Sequence, residues 1–246
     1  MKCEFLLALF FVGVLSCAGQ EYSKADSFKI SLIWPNSYCL TNDHDCRPSV
    51  PQYFTINGLW AVGSDGEVME NCKTGYYLTD KIITTNKVDL LKFWPDLSTY
   101  NFQDSKKLWK SQWETYGSCA ADLMLAEGYI SKAMNLRQSH NLYQILTNAG
   151  IVANGSSYKA DRILTAIRKS TKFMVDIVCE TDRVGNVYLS EVIQCLDNHG
   201  KEFVDCENKA NNCDKDPIFP DPLFTSAAVK ARRNASPMKR VTKIHA

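Results

Sequence analysis

Histidine is scarce in this chain, with four residues in 246, and His44, His140, His199 and His245 offer no pair at metal-ligand spacing. Cys-x-x-Cys is absent as well, so the cysteines carry no zinc signature and no metal or cofactor is expected. Beyond Leu15 no segment is apolar enough to cross a membrane as a helix, and no membrane partner is expected. From Pro222 onward there is no acidic residue, although Lys230, Arg232, Arg233, Lys239, Arg240 and Lys243 lie there. The formal net charge of +1 therefore hides a net-acidic body followed by a basic tail. Such a body is no electrostatic trap for polyanions. No internal repeat occurs.

What is present begins with a leader. Lys2 precedes the apolar run Phe5 to Leu15, which ends in Ser16, Cys17, Ala18 and Gly19. A charged start, a short apolar stretch and small residues at its end read as a signal peptide over residues 1–19, cut near Ala18 to Gln20. The expected location is the secretory pathway, either extracellular or vacuolar. Cys3 and Cys17 leave with the leader, and Cys39, Cys46, Cys72, Cys119, Cys179, Cys195, Cys206 and Cys213 remain. An even set in a secreted chain reads as a disulfide framework, and the spacing alone leaves its pairing open.

Along residues 20–222 the pattern runs strand, helices, strands. Phe28 to Trp34 reads as a half-buried strand broken by Pro35-Asn36-Ser37, and Gln52 to Ile56 as a second, ending at Gly58. Asp89 to Trp94 is a short helix stopped by Pro95, and Asp104 or Ser105 caps a helix through Tyr116, with Gly117 as its breaker. Apolar residues recur at helical spacing through 128–148, and Tyr158 to Ser170 gives a further helix. Met174 to Cys179 and Val187 to Ile193 are strands turned at Val184-Gly185-Asn186. Segregated strands and helices predict an α+β fold in a single domain. Residues 223–246 form a basic tail without apolar period, expected to be disordered, processed or a sorting segment.

Two segments carry chemistry. Phe54-Thr-Ile-Asn-Gly-Leu-Trp60 and Trp109-Lys-Ser-Gln-Trp-Glu-Thr-Tyr-Gly-Ser-Cys119 resemble the two catalytic segments of T2 ribonucleases, usually written FTIHGLWP and WxHEWxKHGTC. Phe28 to Cys39, Asp89 to Leu97 and Tyr129 to Cys179 extend the resemblance over about residues 28–215. It implies an antiparallel sheet flanked by helices, with RNA bound over the sheet. It also implies the pairings Cys39–Cys46, Cys72–Cys119, Cys179–Cys213 and Cys195–Cys206.

RNA cleavage of this kind needs a base for the ribose 2′-OH, an acid for the leaving oxygen, and support for a dianionic phosphorane. Imidazoles suit the first two tasks because they titrate near neutrality; a cation and a carboxyl serve the third. The family motifs supply these groups, and this chain replaces each of them. Asn57 stands at the first His, and Ser111, Gln112, Thr115 and Tyr116 stand at the His, Glu, Lys and His of the second segment. Helical spacing puts 111 with 115, and 112 with 116, on one neutral face. Loss of one general acid or base typically costs about 10²–10⁴ in rate. No catalytic residue is therefore assigned.

Trp109 and Trp113, one turn apart, are read as core packing the helix onto the sheet rather than as a stacking platform for bases. Ala61, where the motif has Pro, is expected to loosen the turn after Trp60. His44, flanked by Asp43 and Asp45, reads as a loop residue, its rival role being a relocated base aimed at Asn57. Lys106, Lys107 and Lys110 read as a solvated face supported by Glu114, with phosphate contact as the rival. Asn154-Gly-Ser156 is an N-glycosylation sequon in an expected loop, whereas Asn234-Ala-Ser236 is followed by the unfavourable Pro237.

The resemblance extends to plant ribonuclease-like storage proteins, which share the fold and can lack the catalytic His. An inactive, accumulated storage protein is therefore the expected function. The alternatives are a recognition or defence module that holds single-stranded RNA weakly, and a residual endoribonuclease with displaced residues. A protein partner is not specified by the sequence.

Overall fold

The computed structural model describes residues 25–41, 46–207 and 212–222. The leader, His44 and the basic tail lie outside the described residues. Strand β1, Ser27–Ile33, is buried at five of its seven residues and has strand neighbours on both edges. Strands β2 (Thr55–Val62), β1, β4 (Val187–Leu196) and β3 (Asp176–Thr181) lie in that order, all antiparallel, and the short β5 (Phe203–Val204) pairs with β4. The α+β expectation is met.

Several local expectations are corrected. Pro35 ends β1 but also opens helix α1, Pro35–Thr41, as a first-turn proline without an amide to satisfy. Strand β2 does not stop at Gly58; it continues through Ala61, which pairs with Phe28 and is 1% exposed. The loosened turn expected at Ala61 is absent because the sheet ladder holds that residue. Helix α2, Asp80–Thr85, was not foreseen; Thr79 caps it, and α3, Lys87–Phe93, follows after Asn86 alone. Helix α4 spans Phe102–Thr115, and its cap is Asn101, whose side chain accepts from the Gln103 amide, rather than Asp104 or Ser105. The periodic stretch 128–148 is split into α5, Ala126–Ser139, and α6, Leu142–Asn148, because Asn141 starts a new helix by capping Gln144. Helix α7 covers Ala160–Thr171.

The structure joins Cys39–Cys46, Cys72–Cys119, Cys179–Cys213 and Cys195–Cys206, which are the pairings the resemblance implies. Trp109 and Trp113 are core residues, as expected from their spacing, but they tie α4 chiefly to the segments ahead of it. Trp109 donates to the Trp94 carbonyl at 2.8 Å and Trp113 to the Tyr76 carbonyl at 3.0 Å, and Trp113 meets Tyr129 edge-on. Among the described residues no helix is long and apolar enough to cross a membrane.

Candidate functional site

Asn57 lies on β2, opposite a register shift in β1 between Ser31 and Leu32. Its side-chain amide donates to Glu191 Oε2 on β4 at 3.2 Å, and Ser31 Oγ, on the strand between them, donates to the same oxygen. Burial pushes the Glu191 carboxyl above its ordinary value; the two donors pull it down, and the charge of Glu180 pushes it up again. Glu191 was not singled out in the sequence. The available signal is a lone acid within the apolar strand Val187–Leu196, where burial of a charge demands a partner.

The end of α4 faces β2 at Gly58. A Cβ at that position would fall 2.2 Å from Trp60 Nε1 and 3.0 Å from Gln112 Oε1, so only glycine allows this approach. The Trp60 indole nitrogen and the Gln112 amide oxygen are both buried there without a protein partner. Tyr116 tilts against Trp60 with ring centroids 5.9 Å apart, and burial, then Glu70, raises its hydroxyl above the usual phenol range. Ser111 is exposed on α4, and Thr115 accepts from the Asn71 amide through its backbone oxygen. The structure therefore brings Gln112 and Tyr116 to β2 and leaves Ser111 facing solvent.

The lysines of α4 are already engaged. Lys110 and Lys106 bind Asp80 at 2.7 and 2.9 Å and hold its carboxyl down to about 2, and Lys107 binds Asp104 at 3.1 Å. The expected support from Glu114 is replaced by Asp80, which α2 brings alongside α4. Of the described histidines, His140 packs against Phe173 and Phe203 and bonds Gln194 through Nδ1, while His199 is an exposed turn residue. Burial pushes the His140 imidazole below its ordinary value, against the opposing pull of Gln194. Among the described residues, the group with metal-ligand proximity is Asp176, Cys195 and Cys206, and its two sulfurs are bonded to each other.

Beside Asn57 lies a pocket of about 100 Å³ lined by residues that include Tyr38, Thr55, Trp94, Asp96 and Leu108. Burial raises the Tyr38 hydroxyl, and the charges of Asp96 and Glu180 add to the effect. The pocket thus combines two aromatic side chains, Tyr38 and Trp94, with one carboxylate, Asp96, and its lining residue Asn57 bonds the buried acid Glu191.

The family model described as "Ribonuclease T2 family" matches residues 25–206. Ribonuclease 1 of Arabidopsis thaliana is 30% identical over 221 residues, covering 89% of this chain and 91% of its own length. A ribonuclease-like storage protein of Panax ginseng is 25% identical over 179 residues, covering 73% and 74%. The crystal structure of RNase NT in complex with 5'-AMP superposes with a TM-score of 0.69 at 26% identity, covering 81% of this chain and 98% of that one.

Proposed function

This chain belongs to the Ribonuclease T2 family, and from that premise we propose that it is a secreted member that no longer cuts RNA and accumulates as a reserve protein. The observation that carries the reading is the occupant of position 57. Where the family motif has an imidazole, this chain has an amide committed to the buried Glu191 carboxyl. An amide does not exchange a proton near neutrality, so it cannot act as base or acid there. Gln112, Thr115 and Tyr116 supply neither the carboxyl, the cation nor the second imidazole that a dianionic phosphorane and its leaving group require. The four disulfides and the buried tryptophans maintain the scaffold independently of those positions. The storage-protein relative supports the accumulated role, and the leader sequence supports an extracellular or vacuolar destination.

A second reading, weak binding of single-stranded RNA in recognition or defence, is favoured by one feature, the pocket at Asn57 with Tyr38 and Trp94 in its walls. A residual nuclease would need a displaced base such as His44. Abundance across tissues, measured together with cleavage by the purified protein, tests the proposal. The expected result is heavy accumulation in a reserve tissue without RNA cleavage. Trace abundance coupled to salt-sensitive RNA binding would favour the second reading.

A further inference from the structure

The loop that follows α6 has a chemistry that the cleft does not use. Its residues 154–157 are all exposed, and they contain the sequon Asn154-Gly155-Ser156. The Ser156 backbone amide donates to Asn154 Oδ1 at 3.0 Å. Because that partner is a donor, the side-chain atom facing it is the oxygen, which turns Asn154 Nδ2 outward to solvent. Gly155 sits at φ +82°, in the left-handed region that a tight turn needs. The turn displays the one nitrogen of the loop that can take a sugar.

A second element locks this turn. Residues 217–222 run across the loop as a strap: the Gly155 amide donates to the Phe219 carbonyl at 2.9 Å, the Phe219 amide to the Ser156 carbonyl at 3.0 Å, and the Tyr158 amide to the Pro217 carbonyl at 3.0 Å. Phe219 is fully buried against Trp34 and Phe54, and the Trp34 indole donates to the Pro220 carbonyl. The strap is made after the sequon in chain order, so during synthesis the sequon is free of it.

We propose that Asn154 is an N-glycosylation site, modified before the 217–222 strap closes on its loop. The donor is a lipid-linked oligosaccharide diphosphate of the secretory lumen. A bond forms between Asn154 Nδ2 and the anomeric carbon of the first sugar, the bond from that carbon to the lipid diphosphate breaks, and the amide loses one proton. The folded chain accommodates the product without rearrangement, since the nitrogen already points to solvent and the oxygen keeps its bond to Ser156. The inference rests on secretory entry, not on the state of the cleft.

The test is peptide mapping of the full chain secreted from a eukaryotic host under its own leader, with enzymatic deglycosylation in heavy-oxygen water. The expected result is conversion of Asn154 to labelled Asp, with loss of the glycan mass in both Asn154→Asp and Ser156→Ala. Asn154→Asp retains the carbonyl-type acceptor for the turn, and Ser156→Ala leaves Asn154 in place, so folding and modification are separable. An unmodified Asn154 peptide from secreted, disulfide-bonded protein would overturn the site. For the order of events, Phe219→Ala weakens the strap, and occupancy at Asn154 should equal or exceed that of the wild type. A fall in occupancy would overturn the order.

Discussion

The Asn57 amide and the Glu191 carboxyl form a hydrogen bond of 3.2 Å that spans β1, with Ser31 closing on the same oxygen from the strand between. A neutral side chain and a buried acid thus occupy the point where the family motif places an imidazole. Burial holds the Glu191 carboxyl above its ordinary value, and the charge of Glu180 adds to that effect.

Burial of Glu191 makes stability depend on pH in a definite direction. Burial, the largest cause, raises the folded Glu191 carboxyl above its unfolded value. Between the two values the folded state binds more protons than the unfolded state, so the contribution is complete at low pH and is lost as pH rises through the folded value. Glu191→Gln removes that loss. Chemical denaturation should show the variant gaining on the wild type as pH rises from about 4, the ordinary carboxyl range, upward. A stability difference that stays flat across this range would contradict the assignment.

A single Asn57→His change should restore almost no cleavage, because one imidazole lacks its acid partner and its phosphorane support. The introduced ring would meet Glu191, and a carboxylate within hydrogen-bond reach favours the imidazolium. NMR titration should place that ring above the reference of about 6.5, and adding Glu191→Gln should lower it. Identical titrations in the two variants would show that Glu191 does not reach the ring.

Cys72–Cys119 ties the loop before α2 to the 3-10 turn Gly117–Ala120 after α4, at a sequence separation of 47. Removing it with the double change Cys72→Ser and Cys119→Ser should cost roughly 4 kcal/mol in the chain-entropy account, with enthalpic and unfolded-state terms modifying the value. Urea midpoints of the two proteins measure this. A negligible shift would mean that the packing of Trp113 and Tyr129 against Gly117 already fixes the segment.

The strand-helix-strand order was legible because the sheet strands and α4 and α7 are long and patterned. The missed pieces have local causes. Helix α2 has only six residues, and one of them, Ile83, is buried, which is too little periodicity to read. The break at Asn141 depends on a capping bond, which an unbroken run of apolar spacing conceals. At the site, the motif identified Asn57, Ser111, Gln112, Thr115 and Tyr116, since these positions sit at fixed offsets from Trp60 and Cys119. Glu191 was not legible there, because its partnership crosses three strands and exists only in the folded sheet. The pairing of Lys106 and Lys110 with Asp80 was hidden for the same reason, as it depends on the unforeseen α2.

The most direct measurement is RNA cleavage by the purified wild-type protein, set beside a variant carrying Asn57→His, Ser111→His, Gln112→Glu, Thr115→Lys and Tyr116→His. Between roughly pH 4 and pH 8, where carboxyls and imidazoles titrate, the wild type should be silent and the five-fold variant should cleave. Robust wild-type cleavage that survives stringent purification would contradict the account and direct attention to a displaced base such as His44.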